Sequence, residues 1–146
     1  MQVVIRPIDI DQDAEGLAAM WNASDMQWPG SWTHGLPITA EMVREWENDR
    51  RHLVTFVAVV EGEIAGYCSF TDEHGVQSGE GYLALLNVHP KYQKQSIGRR
   101  LIQATIERSV QEGFQRQTLG TWSANFKAVP TYKKTGHSWT PDSSVW

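Results

Sequence analysis

Between Tyr82 and Val110 the sequence changes character twice, and these changes narrow the fold more than any other stretch. The apolar run Tyr82-Leu83-Ala84-Leu85-Leu86-Asn87-Val88 reads as a strand and stops at His89-Pro90. A short polar loop follows, with Gln93, Lys94, Gln95 and Ser96. From about Gly98, the spacing of Leu101, Ile102, Thr105, Ile106 and Val110 gives one face of a helix that Gly113 closes. A strand, a polar loop and a helix N-terminus in that order form an anion cradle. The first helical N–H groups have no intrahelical partners, and the helix dipole favours negative charge there. Lys91, Lys94, Arg99 and Arg100 gather around the same point. Each alone reads as a solvated side chain, but grouped at a helix start they point to a phosphate-bearing ligand.

The other bounds are broad. A chain of 146 residues with 40% apolar residues is expected to form one folded domain over residues 1–146. No apolar run approaches the roughly 20 residues of a membrane span, and the start Met-Gln-Val-Val-Ile-Arg-Pro lacks the basic and apolar segments of a signal peptide. No membrane partner is expected. The formal charge of −4 disfavours nucleic acid as a partner and permits a cationic amine. Cys68 is the single cysteine, which excludes an internal disulfide and makes the cytoplasm the default setting. The five histidines show no metal-binding spacing, so no metal is expected. A nucleotide-binding domain is disfavoured because neither a Walker glycine-lysine motif nor G-x-G-x-x-G after a strand is present.

Periodicity and turn chemistry order the remaining elements. Val3-Val4-Ile5 is a first strand closed by Pro7. Asp11 is the expected N-cap of a helix whose inner face is Ala14, Leu17, Ala18, Met20 and Trp21. Gly16 stands inside that helix, where glycine costs about 1 kcal/mol relative to alanine. Residues 24–37 carry two prolines and two glycines and read as a loop. Thr39 caps a second helix with Met42, Val43 and Trp46 inward. Residues 53–60 and 64–71 flank Glu61-Gly62-Glu63 as a hairpin. Residues 117–122 suggest a fifth strand, and residues 125–135 a fourth helix ending at Gly136. Ser138-Trp139-Thr140 then reads as a strand, and Val145-Trp146 as the start of another with no room to continue. Such an edge invites pairing, so either a longer natural protein or homodimer contacts are expected there.

This α/β order is strand, two helices, three strands, helix, strand, helix, strand. It is similar to that of the GNAT superfamily of N-acetyltransferases, a mixed central sheet flanked by helices, and the resemblance covers nearly the whole chain. Val88-x-Pro90, Gln93, Ile97 and Gly98 resemble the family's acyl-CoA-binding motif. Ser96 stands where the family usually has glycine, and Lys94 replaces a frequent glycine. A left-handed backbone at Ser96 would bring strain of about 1 kcal/mol or more.

The resemblance implies acetyl-CoA as acyl donor and direct attack by a primary amine of a small molecule or peptide. It implies cofactor contacts across Gln93, Lys94, Gln95, Ser96, Ile97, Gly98 and Arg99. It also implies a backbone oxyanion donor at Val88 with Asn87 beside it. Asn125, Ala128 and Tyr132 share one helical face. The resemblance implies that Asn125 contacts the pantetheine arm or acyl group and that Tyr132 protonates the leaving thiolate. A phenol suits that step, being neutral at pH 7 yet able to give a proton to a thiolate formed beside it. Pro130 lies between them and starts or kinks the helix. The family's loop between its first two helices covers the acceptor, which makes Trp28 and Trp32 candidate acceptor contacts. Candidates for the general base are Glu80, His34, His74 and His89. Cys68 reads as core. The alternative reading is a non-catalytic domain of the same fold that holds CoA or serves as an interaction module.

Overall fold

The computed structural model describes residues 2–23, 36–49, 54–71, 80–114 and 116–118. The loop with Trp28 and Trp32, the expected helix with Asn125 and Tyr132, and the expected C-terminal strands lie outside these residues, as do His34 and His74.

Five strands form one sheet in sequential order: β1 (Val3–Pro7), β2 (Val54–Val60), β3 (Glu63–Thr71), β4 (Glu80–Val88) and β5 (Arg116–Thr118). The first four pair antiparallel, and β5 pairs parallel to β4. A parallel neighbour needs a crossover, which helix α3 (Ile97–Gln111) supplies. Helices α1 (Ile10–Ala23) and α2 (Ala40–Asp49) lie between β1 and β2 in sequence. The β2–β3 hairpin turns on Glu61 and Gly62, whose φ values of 49° and 82° give the twist that such two-residue turns need.

The sheet is buried on both faces. On one, Ala58, Val60, Ala65, Cys68 and Leu83 pack with Ile97, Leu101 and Ile102 of α3. On the other, Val57, Ile64 and Tyr67 pack with Leu17, Met20 and Trp21 of α1 and Val43 of α2. The sequence-predicted inner faces of α1 and α3 are buried as expected, apart from Ile106, which is partly buried, and Val110, which is exposed. Gly16, costly for an isolated helix, is explained by this packing: a Cβ there would stand 2.7 Å from Ile64 Cγ1. Gly66 does the same for α3, since its Cβ would meet Leu101 Cδ1 at 2.7 Å and Ile97 Cγ2 at 3.1 Å. Gly66→Val is expected to push α3 off β3 and cost about 2 kcal/mol, read as a lower urea midpoint.

The start of α1 differs from the sequence reading. Asp9, not Asp11, is the cap: the helix begins at Ile10, and the Gln12 N–H donates to Asp9 Oδ1 at 3.4 Å. Asp13 is buried and holds β1 to α1. Its two carboxylate oxygens each accept from Arg6 at 2.7 Å, and Oδ2 also accepts from the Asp9 N–H at 2.9 Å. Burial pushes the Asp13 carboxyl up, but the hydrogen bonds from Arg6 and Asp9 outweigh it and hold the group below its ordinary value. At α2, Thr39 Oγ1 accepts from the Met42 N–H at 3.2 Å, the cap that the sequence suggested.

Candidate active site

The far end of β4 turns into the loop that leads to α3. The His89 N–H donates to Ala65 O at 2.8 Å, and His89 Nδ1 accepts from the Lys91 N–H at 3.1 Å. These bonds stop the strand and start a short 3-10 turn, Pro90–Tyr92. Tyr92 is buried, and its hydroxyl donates to Glu63 Oε1 at 2.5 Å. Lys91 Nζ reaches the same oxygen at 3.1 Å. Hydrogen bonds from Tyr92 and Lys91 hold the Glu63 carboxyl below its usual range. The hairpin thus anchors the loop from below, and Lys91 is committed to Glu63 rather than to the cradle.

Beyond Tyr92 the backbone takes an unusual course. Gln93 is extended, and its Nε2 donates to Val88 O at 3.5 Å. Lys94 and Ser96 both have left-handed backbones, with φ of 66° and 64°. Helix α3 begins at Ile97, one residue before the sequence-predicted Gly98. Ser96 is its N-cap residue but makes no capping bond with its side chain. The first-turn N–H groups are therefore left for a ligand or solvent. Arg100 donates to Val3 O at 3.2 Å, which draws it toward β1. Lys94 and Arg99 are exposed and make no hydrogen bond or ion pair among the described residues. Of the four basic residues gathered here, these two remain available to an anion. Left-handed backbone is strained for both Lys94 and Ser96. Ser96→Gly is expected to raise stability by about 1 kcal/mol, and Ser96→Val to lower it, both read from urea unfolding.

Two neighbours at the end of β4 face opposite ways. Val88 packs toward α3, among Ile97 and Leu101. Asn87 turns to the α1 face, where its Oδ1 accepts from Trp21 Nε1 at 3.2 Å. Trp21 stands edge-on to Tyr67 with ring centroids 5.3 Å apart, and tilted against Trp46 at 6.0 Å. The Tyr67 hydroxyl donates to Glu47 Oε1, and Thr55 donates to Glu47 Oε2 at 3.4 Å. This polar and aromatic group lies on the face opposite the cradle. The sequence assigned Trp21 to core packing alone. It is buried, but its indole N–H also reaches the strand end, and nothing in its helical spacing signals that bond.

The expected site residues are thus distributed as follows. Asn87, Val88, Gln93, Lys94, Gln95, Ser96, Ile97, Gly98 and Arg99 form one continuous structure from β4 into α3. Glu80 opens β4 opposite Arg116 of β5, at the other end of the strand. Roughly 25 Å of strand separates it from Val88, so Glu80 cannot act directly on a group held at Val88. Asn125, Tyr132, Trp28 and Trp32 lie outside the described residues. Cys68 is fully buried in β3, and burial pushes its thiol well up, which suits core packing and not attack. Among the described residues, no group of three or more His, Cys, Asp or Glu is placed to hold a metal, and no helix is long and apolar enough to cross a membrane.

Comparison with solved structures gives close likenesses of fold. An acetyltransferase of the GNAT family from Streptococcus pneumoniae superposes with a TM-score of 0.75 at 24% identity, covering 95% of this chain and 86% of its own. The PaiA N-acetyltransferase of Thermoplasma acidophilum, solved in complex with coenzyme A, gives 0.73 at 18% identity, covering 99% and 96%. A GNAT family acetyltransferase from Brucella melitensis, solved in complex with acetyl-CoA, gives 0.68 at 20% identity, covering 94% and 83%. A comparison with curated protein sequences gives no match. The profile of the acetyltransferase (GNAT) family matches residues 17–137, a span that runs from α1 through the sheet and the β4–α3 loop to His137. The chain therefore belongs to the acetyltransferase (GNAT) family.

Proposed function

We propose that this chain is an acetyl-CoA-dependent N-acetyltransferase that moves an acetyl group to the primary amine of a small molecule or peptide. The observation that carries the reading is the uncapped N-terminus of α3 at the end of β4, reached through two left-handed residues and flanked by Lys94 and Arg99. Solved relatives of this fold hold CoA or acetyl-CoA, which supports the same donor here.

The pyrophosphate of CoA rests on backbone N–H groups of residues 93–98, with Lys94 and Arg99 adding charge. An array of fixed donors at a helix start binds an anion without reorganisation. The thioester lies along β4 near Val88, where a backbone N–H stabilises the developing oxyanion. The neutral amine attacks the carbonyl carbon in a ternary complex. A C–N bond forms, the C–S bond breaks, the attacking nitrogen loses a proton to water, and Tyr132 protonates the departing thiolate and regains its own proton from solvent. Trp28 and Trp32 line the acceptor side, and Asn125 holds the pantetheine arm. The single buried cysteine suits a reducing compartment, the cytoplasm.

Lys94 and Ser96 favour a second reading, a CoA-holding module without turnover. Each puts a Cβ on a left-handed position of the cradle, where glycine would let a pyrophosphate approach more closely. Two measurements separate the readings. A ligand that binds only the native state raises the melting midpoint, so acetyl-CoA and CoA should raise it and ATP should not. Thiol release from acetyl-CoA across a panel of amines then tests for the enzyme. Stabilisation by CoA without amine-dependent thiol release identifies the module. No stabilisation by CoA, together with a harmless Gly98→Trp, removes CoA from this loop.

A further inference from the structure

The Asn87–Trp21 contact has a chemical polarity that settles the orientation of one side chain. An indole nitrogen can only donate a hydrogen bond. The Asn87 group that meets Trp21 Nε1 at 3.2 Å must therefore be its carbonyl oxygen, Oδ1. Its Nδ2 points elsewhere as a donor, and it makes no hydrogen bond to any described residue. Asn87 is half-buried, so this donor is presented in a partly enclosed place. Trp21 cannot easily turn to release it, because it is itself buried against Tyr67 and Trp46. Tyr67 is also the cross-strand partner of Asn87, so β3 and α1 fix the amide together.

The face matters as much as the polarity. The cradle and α3 lie on the Val88 side of the sheet, and Asn87 projects from the α1 side. A thioester lying along β4 is served by backbone N–H groups in the plane of the sheet. A molecule attacking from the α1 side meets the Asn87 amide first. Consecutive Cα atoms are about 3.8 Å apart. Asn87 and Val88 are adjacent in β4, so one small acceptor can place an oxygen at the Asn87 amide and its nitrogen beside Val88, with three bonds between them.

We propose that Asn87 is a specificity-determining residue that donates its Nδ2–H to an oxygen of the acceptor, and that Trp21 is the residue that positions it. The acceptor class is an amine with a carbonyl or carboxylate oxygen three bonds from the nitrogen, the aminoacyl pattern. Simple alkylamines lack that oxygen and leave the donor unpaired. This assignment rests on the acetyltransfer reading for its context, but its test does not depend on turnover alone.

The kinetic arm compares kcat/KM for glycinamide, glycine and propylamine in wild type and Asn87→Asp. The aspartate keeps an oxygen toward Trp21 and puts an oxygen where the N–H was. The glycinamide-to-propylamine ratio is expected to fall about 10-fold or more, and glycine, with its carboxylate, should suffer most. Trp21→Phe removes the positioning bond and should lower the same ratio while the KM for acetyl-CoA stays put, a split that general loosening would not give. An unchanged ratio in Asn87→Asp overturns the proposal. The second arm uses NMR of ¹⁵N-labelled protein, with and without CoA. The Asn87 carboxamide pair, assigned by its loss in Asn87→Asp, should shift saturably with glycinamide and not with propylamine. Equal response to both amines, or to neither, overturns the proposal. Absence of thiol release with every amine would sink the enzyme reading while leaving this second arm to decide on Asn87.

Discussion

Tyr132→Phe is expected to lower amine-dependent thiol release about 10²–10⁴-fold, the usual range for losing a general acid, with acetyl-CoA affinity nearly intact. In the proposed mechanism the hydroxyl acts when the thiolate departs. An interaction made chiefly in the transition state lowers the rate without weakening ground-state binding. Tyr132→Ala should weaken binding as well, because the proposed role sets the ring against the acyl end of the donor. The case for Tyr132 comes from the spacing of Asn125, Ala128, Tyr132 and Gly136 after a fifth strand. Steady-state kinetics and direct binding of acetyl-CoA to both variants measure the two effects separately. Turnover that ignores the hydroxyl would leave the enzyme standing and remove Tyr132 as its acid.

Arg6→Met is the substitution expected to cost most stability, about 3 kcal/mol at pH 7, because it leaves the buried Asp13 carboxylate without its cation. The pH dependence should change sign. In the wild type the folded value of Asp13 lies below its unfolded value of about 4. The pair's contribution is therefore full above that value and is lost as pH falls through the folded one. Without Arg6, burial is the leading influence on Asp13 and favours the protonated form. The variant should then regain part of its loss as the medium is acidified toward pH 4. Urea midpoints of both proteins at pH 7 and pH 4 give the comparison. A constant gap between them would show that Asp13 does not carry the effect.

Elements that announce themselves by period and punctuation were legible in the sequence. The hairpin around Glu61-Gly62, the Thr39 cap and the strand ending at His89-Pro90 all depend on local chemistry. A left-handed Ser96 entered only as a condition, from the glycine that the resembling family has there, and the backbone does take that course. What was not legible depends on residues far apart in the chain. Gly16 looked like a defect in a helix because its partner, Ile64, is 48 positions away. Lys91 looked like a phosphate ligand because nothing local reveals that Glu63 stands beneath it. Asp11 and Asp9 are equally good caps by type, and the bond to Asp13 with Arg6 behind it favours the earlier start. Trp21 has the spacing of a core residue, and burial accounts for it fully until the Asn87 carbonyl appears opposite its N–H. The placement of Glu80 follows from strand length, which sequence reading bounds only loosely.

Cys68, shut in the middle of β3 and the only thiol in the chain, makes the protein its own unfolding sensor. A thiol reagent in solution cannot touch it until the central strand is uncovered, and only the thiolate reacts. The labelling rate therefore counts how often the sheet opens, residue-specifically and without an engineered probe. Any molecule that favours the closed form slows that clock by the factor 1 + [L]/Kd. Mass spectrometry of one cysteine could then rank unlabelled ligands in mixtures, with no chromophore and no turnover, whatever the acceptor proves to be.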